Sequence, residues 1–334
     1  MQSMFIAQPE TQLIRDRLLL WYQMHGRKGL PWRSTRDAYS IWISETMLQQ
    51  TQVATVKSRF YEPFMKRFPT VTALAAADEE DVMKAWEGLG YYRRARHLHK
   101  AAKLAAGGMP TTVEGLLALP GIGQSTAHAI AAFAYRHPAP VLDANVRRVL
   151  ARFFALKNPS IKEWWQAAWA LLDTARPDDY NQAMMDIGAM ICTPRQPACG
   201  QCPLAAGCRG KENPGAYPAP KAKKTTPTRH AVWLAVIDGD GRLALWRREE
   251  AHLGGLYRVH HLPEDTPIHP QWRKLGQIKQ VYSHYTLVAD AYLAPKAHAS
   301  ALPPGAIWQT LGEVRQLATS KAEHKLFMLL EKGE

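Results

Sequence analysis

Cysteine is nearly missing from the 334-residue chain: there are four, all between positions 192 and 208. No disulfide framework can therefore staple the rest. Acidic residues are also in deficit, 29 against 42 Lys and Arg, for a formal net charge of +13 at pH 7. That balance favours a polyanionic partner, with nucleic acid and an anionic membrane surface equal on charge alone. No uninterrupted apolar run approaches the roughly 18–20 residues needed to span a bilayer. The opening residues Met1–Gln8 lack the basic stretch and apolar core of a secretory signal, so a soluble cytoplasmic protein is expected. What is present suits two folded domains: apolar residues make up 46% and aromatics 9%, which excludes a wholly disordered chain.

The four cysteines read C-x6-C-x2-C-x5-C at Cys192, Cys199, Cys202 and Cys208. Four thiols in one short loop suit a tetrahedral zinc site or a cubane iron–sulfur cluster. Only Cys199 and Cys202 form the close pair that zinc modules use twice, and spacing leaves both metals open. Arg195 and Arg209 add positive charge to the loop.

From Thr11 to about Ile191 the pattern is helical, opening with an amphipathic helix whose apolar face is expected to hold Leu13, Leu18, Leu19, Leu20 and Tyr22. Turn signals follow at Gly29–Pro31, Gly88–Gly90, Gly107–Pro110 and Leu119–Gly121. Residues 209–229 carry Pro214, Pro218, Pro220, Pro227, Lys221, Lys223 and Lys224, the composition of a basic linker. Strands are expected at Ala231–Ile237, Leu243–Trp246, Gln277–Tyr282 and Thr286–Tyr292, with a helix at Ala322–Leu330. The expected organisation is an all-α domain over 1–208, a linker over 209–229, and a smaller α+β domain over 230–334.

Three segments carry chemistry. Leu119-Pro120-Gly121-Ile122-Gly123 precedes an alanine-rich helix; its glycines permit positive φ and open backbone N–H groups at a helix N-terminus, where a phosphate is favoured. The same pattern also serves as an ordinary turn between helices. Asp143 stands where it caps the helix beginning Ala144-Asn145, and a carboxylate held ionised by helix N–H groups can face a developing cation. In Trp42–Gln52, helical spacing puts Glu45, Gln49 and Gln52 on one face, equally the pattern of a solvated helix.

Taken together, L-P-G-I-G-Q-S-T-A, V-L-D-A-N-V-R-R-V and the cysteine loop resemble the helix–hairpin–helix DNA glycosylases that carry an iron–sulfur cluster. With L-P-W-R (Leu30–Arg33), W-I-S-E-T-M-L-Q-Q-T-Q (Trp42–Gln52) and G-L-G-Y-Y-R-R-A-R (Gly88–Arg96), the chain resembles the MutY-type adenine DNA glycosylases over nearly all of Leu13–Cys208. The resemblance implies a [4Fe–4S] cluster on the four cysteines and a monomer acting on duplex DNA that holds adenine opposite 8-oxoguanine. It implies that Glu45 protonates adenine N7, that Asp143 stabilises the sugar cation, and that Asn145 belongs to the same pocket. Leu30, Trp32, Arg33 and Gln182 are expected around the flipped base, although some relatives carry Glu at the Gln182 position. Gln49 and Tyr91 are expected to enter the base stack. Thr51, Gln52, Leu119, Gly121 and Gly123 complete the expected DNA contacts. Ser125 stands where the bifunctional endonuclease III branch has the lysine that forms a Schiff base, so a monofunctional enzyme follows.

The second domain resembles the Nudix-like recognition domain of the same proteins. The run of glutamates of a Nudix hydrolase box is missing, and Glu249-Glu250 does not replace it. The family's F-S-H element appears as Tyr282-Ser283-His284, expected to sense 8-oxoguanine, while Gly254–Val259 departs further from the usual G-L-W-x-F-P.

Overall fold

A computed structural model describes residues 9–220, 225–249, 253–299 and 302–332. The helices run in chain order α1 (Pro9–His25), α2 (Ala38–Leu48), α3 (Val53–Thr55), α4 (Tyr61–Arg67), α5 (Val71–Ala76), α6 (Glu79–Ala85) and α7 (Arg93–Leu104). Then come α8 (Val113–Leu117), α9 (Gln124–Tyr135), α10 (Ala144–Phe153), α11 (Ile161–Leu171) and α12 (Pro177–Asp186). The chain divides into two compact units, Met1–Thr72 with Ala101–Ala222, and Ala73–Lys100 with Lys223–Glu334. The expected 1–208 domain is thus interrupted, because residues 73–100 group with the C-terminal sheet.

The first unit is all helix. Ile14, Leu18, Leu19 and Tyr22 of α1 pack with Leu150, Phe153, Trp164, Leu171, Met184 and Ile187. Leu13 and Leu20, expected on that face, are instead 53% and 56% exposed. Three consecutive leucines cannot share one stripe at 100° per residue, and Ile14 takes the place given to Leu13. Helix α2 lies within the unit, with Ile41, Trp42, Ile43 and Met47 all buried. Helix α9 packs against it, and its Ala127, Ala129, Ala131 and Ala132 are all buried.

The second unit holds β1 (Thr228–Ile237), β2 (Leu243–Arg247), β3 (Tyr257–Arg258), β4 (His260–Leu262), β5 (Arg273–Val281), β6 (Thr286–Pro295), β7 (Ile307–Gln309), α13 (Leu311–Val314) and α14 (Lys321–Glu331). The sheet order is β3-β2-β1-β6-β5, with β4 pairing β1 and β7 pairing β2. Strands β1 and β6 run parallel, Thr228 opposite Thr286 through Ile237 opposite Pro295, while β5 and β6 form an antiparallel hairpin. The unbroken apolar run of β1 follows from burial on both faces: Trp233 and Ala235 meet the α14 side, Val232, Leu234 and Val236 the other. Helix α6 is bonded into this unit, with Tyr257 donating to Glu80 at 2.7 Å and the Thr319 N–H to Glu87 at 2.8 Å. The four expected strands are present: β1 starts earlier, β2 and β6 end later, and β5 starts earlier but stops at Val281, leaving Tyr282 outside the strand. Strands β3, β4 and β7 escaped sequence reading because two or three residues are too few for periodicity.

Candidate active site

One pocket of the first unit is lined by Leu30, Trp32, Arg33, Glu45, Leu48, Phe133, Gln182 and Met185. It brings together all four residues expected around a base and the expected acid. The Leu30–Arg33 segment reaches it because Pro31 starts a 3-10 turn that buries Trp32 edge-on against Tyr61, ring centroids 5.1 Å apart. Glu45 projects from the middle of the buried helix α2. Its carboxyl is raised from 4.5 to about 7, by burial first and by the Asp143 charge second, with Arg33 opposing both.

Asp143 is the N-cap of α10, accepting from the Val146 N–H at 2.7 Å, with the Asn145 amide 3.4 Å away. Those bonds, and Arg148, favour its ionised form, yet burial outweighs them and its carboxyl lies above the ordinary value. The helix N–H groups do favour the ionised form as expected, but desolvation is the larger influence on this carboxylate. The extended segment before Asp143 has its backbone held by side chains. Asn181 accepts from Val141 and donates to Ala139, each at 2.8 Å. His128 lies 2.9 Å from the Pro140 carbonyl, and Ser125 Oγ accepts the Leu142 N–H at 3.0 Å.

The Leu119–Gly123 segment is the hairpin between α8 and α9. Leu119 is buried; Gly121 takes φ +81°, and exposed Gly123 caps α9 with open space beside it. Gln52 does not share the Glu45 face. Helix α2 stops at Leu48, Gln49 leaves it with ψ 111°, Gln50 takes φ +59° and Gln52 caps α3. The break follows from Gln50 entering the left-handed region. Gln49 then reaches Thr126 at 3.4 Å, and Thr51 lies beside it, 3.5 Å from the Gln49 carbonyl.

The cysteine loop follows α12. Cys192, Cys199, Cys202 and Cys208 line one small apolar pocket with Arg152, Ile191 and Pro197. Burial pushes the Cys202 thiol up to about 11, with each of the other three cysteines adding to the rise. Four thiols lining one small apolar pocket beside the Arg152 guanidinium suit an anionic thiolate-bound cluster. Arg152 carries the loop, donating to Thr193 O at 2.7 Å, Pro194 O at 3.0 Å and Cys192 Sγ at 3.3 Å. Arg148 joins the two regions, donating to Cys192 O at 2.7 Å and Asn145 Oδ1 at 2.9 Å.

In the second unit Tyr91 has φ +52° and is 46% exposed, its ring covered by the Arg94 guanidinium at 5.3 Å. Tyr282-Ser283-His284 is the turn of the β5–β6 hairpin. Ser283 and His284 are exposed and 3.1 Å apart, while Tyr282 is tucked in and its hydroxyl meets Ser320.

Sequence reading missed Asp186 and Tyr22. Asp186 is fully buried and pairs with Arg33 at 2.8 Å and Arg27 at 2.7 Å. Tyr22 donates to Gln182 Oε1 at 2.5 Å. The signal for Asp186 was a single charge in the apolar run Ala183–Ile191. Tyr22 gave none, being one more apolar-face residue of α1.

Residues 43–173 match the HhH-GPD superfamily of base excision DNA repair proteins. Residues 192–208 match the iron–sulfur binding domain of endonuclease III, which decides for the cluster over zinc. The adenine DNA glycosylase of Homo sapiens is 32% identical across 96% of this chain and 74% of its own length. That of Mycolicibacterium smegmatis is 44% identical across 56% of this chain and 66% of its own. A solved thermostable thymine-DNA glycosylase superposes with TM-score 0.56 at 28% identity, over 61% of this chain and 97% of that one. Because the human alignment runs through both units, the relationship takes in the sheet as well as the helices, and the chain belongs to the adenine DNA glycosylases, hydrolases of base-excision repair.

Proposed function

We propose that this enzyme hydrolyses the N-glycosidic bond of adenine opposite 8-oxoguanine, or opposite guanine, in duplex DNA and leaves the strand uncut. The observation that carries the reading is the pocket that sets Glu45, its carboxyl raised to about 7 by burial and then by the Asp143 charge, beside Leu30, Trp32, Arg33 and Gln182. Adenine is stacked inside the duplex, so it is flipped into the pocket, with Gln49 and Tyr91 entering the stack it leaves. There Glu45 protonates N7, the C1′–N9 bond breaks with its electron pair leaving on adenine, and Asp143 faces the sugar cation. Water finally supplies the hydroxyl at C1′, after a transient adduct on Asp143. Proton donation accounts for about 10²–10⁴-fold, so the larger share falls to Asp143 and the closed pocket.

Ser125 has no amine and cannot form the Schiff base of a lyase, which supports a monofunctional reaction. Cys192, Cys199, Cys202 and Cys208 would hold the cluster, whose iron–sulfur bonds would tie the loop together, while Arg148 and Arg152 hold that loop to α10. The exposed Ser283 and His284 of the hairpin are the proposed readers of 8-oxoguanine on the opposite strand.

The test is single-turnover cleavage of duplexes holding A opposite 8-oxoguanine, G or T, split with and without hot alkali, beside Asp143→Asn. Alkali-dependent breaks opposite 8-oxoguanine that vanish in the variant are expected. Breaks without alkali would overturn the monofunctional reading. Tight binding with no base release would leave a DNA-binding protein only.

A further inference from the structure

We infer that Asp186 is a positioning residue of the base pocket: its buried carboxylate fixes the Arg33 guanidinium in the wall and balances that charge beside Glu45. The inference rests on Glu45 acting as the acid. Asp186 has no exposed side-chain surface and Arg33 only 7%. The fork is two-pronged, Nη1 to Oδ2 at 2.8 Å and Nη2 to Oδ1 at 2.9 Å, which leaves the guanidinium little freedom to rotate. The same carboxylate accepts the Arg27 backbone N–H and its Nε, each at 2.8 Å, so the chain on the N-terminal side of the 3-10 turn is pinned as well. Arg33 also touches the Tyr22 hydroxyl, which donates to Gln182. One carboxylate therefore orders the polar edge of the pocket through Arg33, Tyr22 and Gln182.

The charge argument is separate. The groups facing Glu45 are Asp143 from the start of α10, and Arg33 and Arg27 from the segment around the 3-10 turn. An unbalanced Arg33 would hold Glu45 ionised at neutral pH, the wrong form for a proton donor. Asp186 sets the opposite charge against that guanidinium, and burial, the largest influence on Glu45, favours its protonated form.

The experiment is the pH profile of single-turnover adenine excision, with iron–sulfur visible absorption reporting the folded protein. Excision falls on the alkaline side as Glu45 ionises. Asp186→Asn should move that fall about one pH unit toward acid, with an about tenfold loss near neutrality recovered at lower pH. Arg33→Gln should move it toward alkali, and the double variant should return it to the wild-type position at reduced rate. Opposed shifts that cancel are the signature of a charge balance. Profiles lowered in height but unmoved would overturn the inference and leave Asp186 a merely structural anchor. If Asp186→Asn does not accumulate as folded protein, Arg33→Gln and the double variant decide alone: a fall in the same place in both is the overturning result. Failure of the Glu45 assignment is distinguishable, because Glu45→Gln would then retain excision.

Discussion

Replacing Glu45 by Gln should make the protein more stable in alkali while ending catalysis. Gln is close to isosteric and keeps the fit of α2, so the main change is loss of a titrating group. In the folded chain burial and Asp143 raise that group from 4.5 to about 7. Below about pH 4.5 both folded and unfolded chains hold the proton, and the group makes no difference. Between the two values the unfolded chain has released a proton that the folded chain keeps, so stability falls as pH rises, and the loss is complete above about 7. At about 1.4 kcal/mol for each tenfold displacement, the whole effect is about 3 kcal/mol, of which about 2 kcal/mol lies above pH 5.5. Urea unfolding followed by helical circular dichroism, for wild type and variant from about pH 5.5 to about pH 8.5, reads the difference directly. The variant should gain about 2 kcal/mol on the wild type across that range. Asp143 shares the titration, so the measured step belongs to the pair. Parallel pH dependences in the two proteins would refute the reasoning, since they would mean that Glu45 is solvated and away from Asp143.

The other expectations test how the site is held. A Cβ on Gly188 would meet Asn145 Cβ at 2.6 Å and its backbone at 3.0 Å. Gly188→Ala should therefore push the start of α10 away and lower excision at least about tenfold in a single-turnover assay, with the helical content kept. Arg152→Met strips the loop of the donors on Thr193, Pro194 and Cys192. It should yield protein that loses visible iron–sulfur absorption faster on dilution, with a cost of about 3 kcal/mol or more in stability. His284 is exposed at the hairpin turn, its ring edge-on to Tyr285 with centroids 5.0 Å apart. His284→Ala should change stability by less than about 0.5 kcal/mol, yet cut the preference for A opposite 8-oxoguanine over A opposite G about tenfold.

How far the site was legible in sequence follows from which interactions are local. The Asp143 cap and the Leu119–Gly123 hairpin are set by residues within one turn of each other, and both stand where the sequence puts them. The strands at Thr228–Ile237 and Thr286–Pro295 are long and apolar enough to announce themselves, but their parallel pairing is a long-range fact that no periodicity encodes. Helical spacing misled at Gln52, because the chain leaves the helix at Gln49 and Gln50 then adopts a left-handed conformation that Gln does not advertise. It misled again in α1, where three adjacent leucines offered two faces and packing chose between them.

Asp186 is the most instructive omission. Its partners Arg27 and Arg33 lie 159 and 153 residues away, so nothing near it in sequence says what it binds. A single charge within the apolar run Ala183–Ile191 is nevertheless a physical statement: buried there, such a group stays only if an opposite charge arrives to meet it. Arg33, in a segment already singled out for the base pocket, is that charge. A lone carboxylate on a core-facing helix and a lone guanidinium in a binding segment are thus each incomplete alone, and pairing such orphans is a search that sequence does permit. Here it would have joined α12 to the Leu30–Arg33 turn before any coordinates, and with it the wall against which Glu45 keeps its proton.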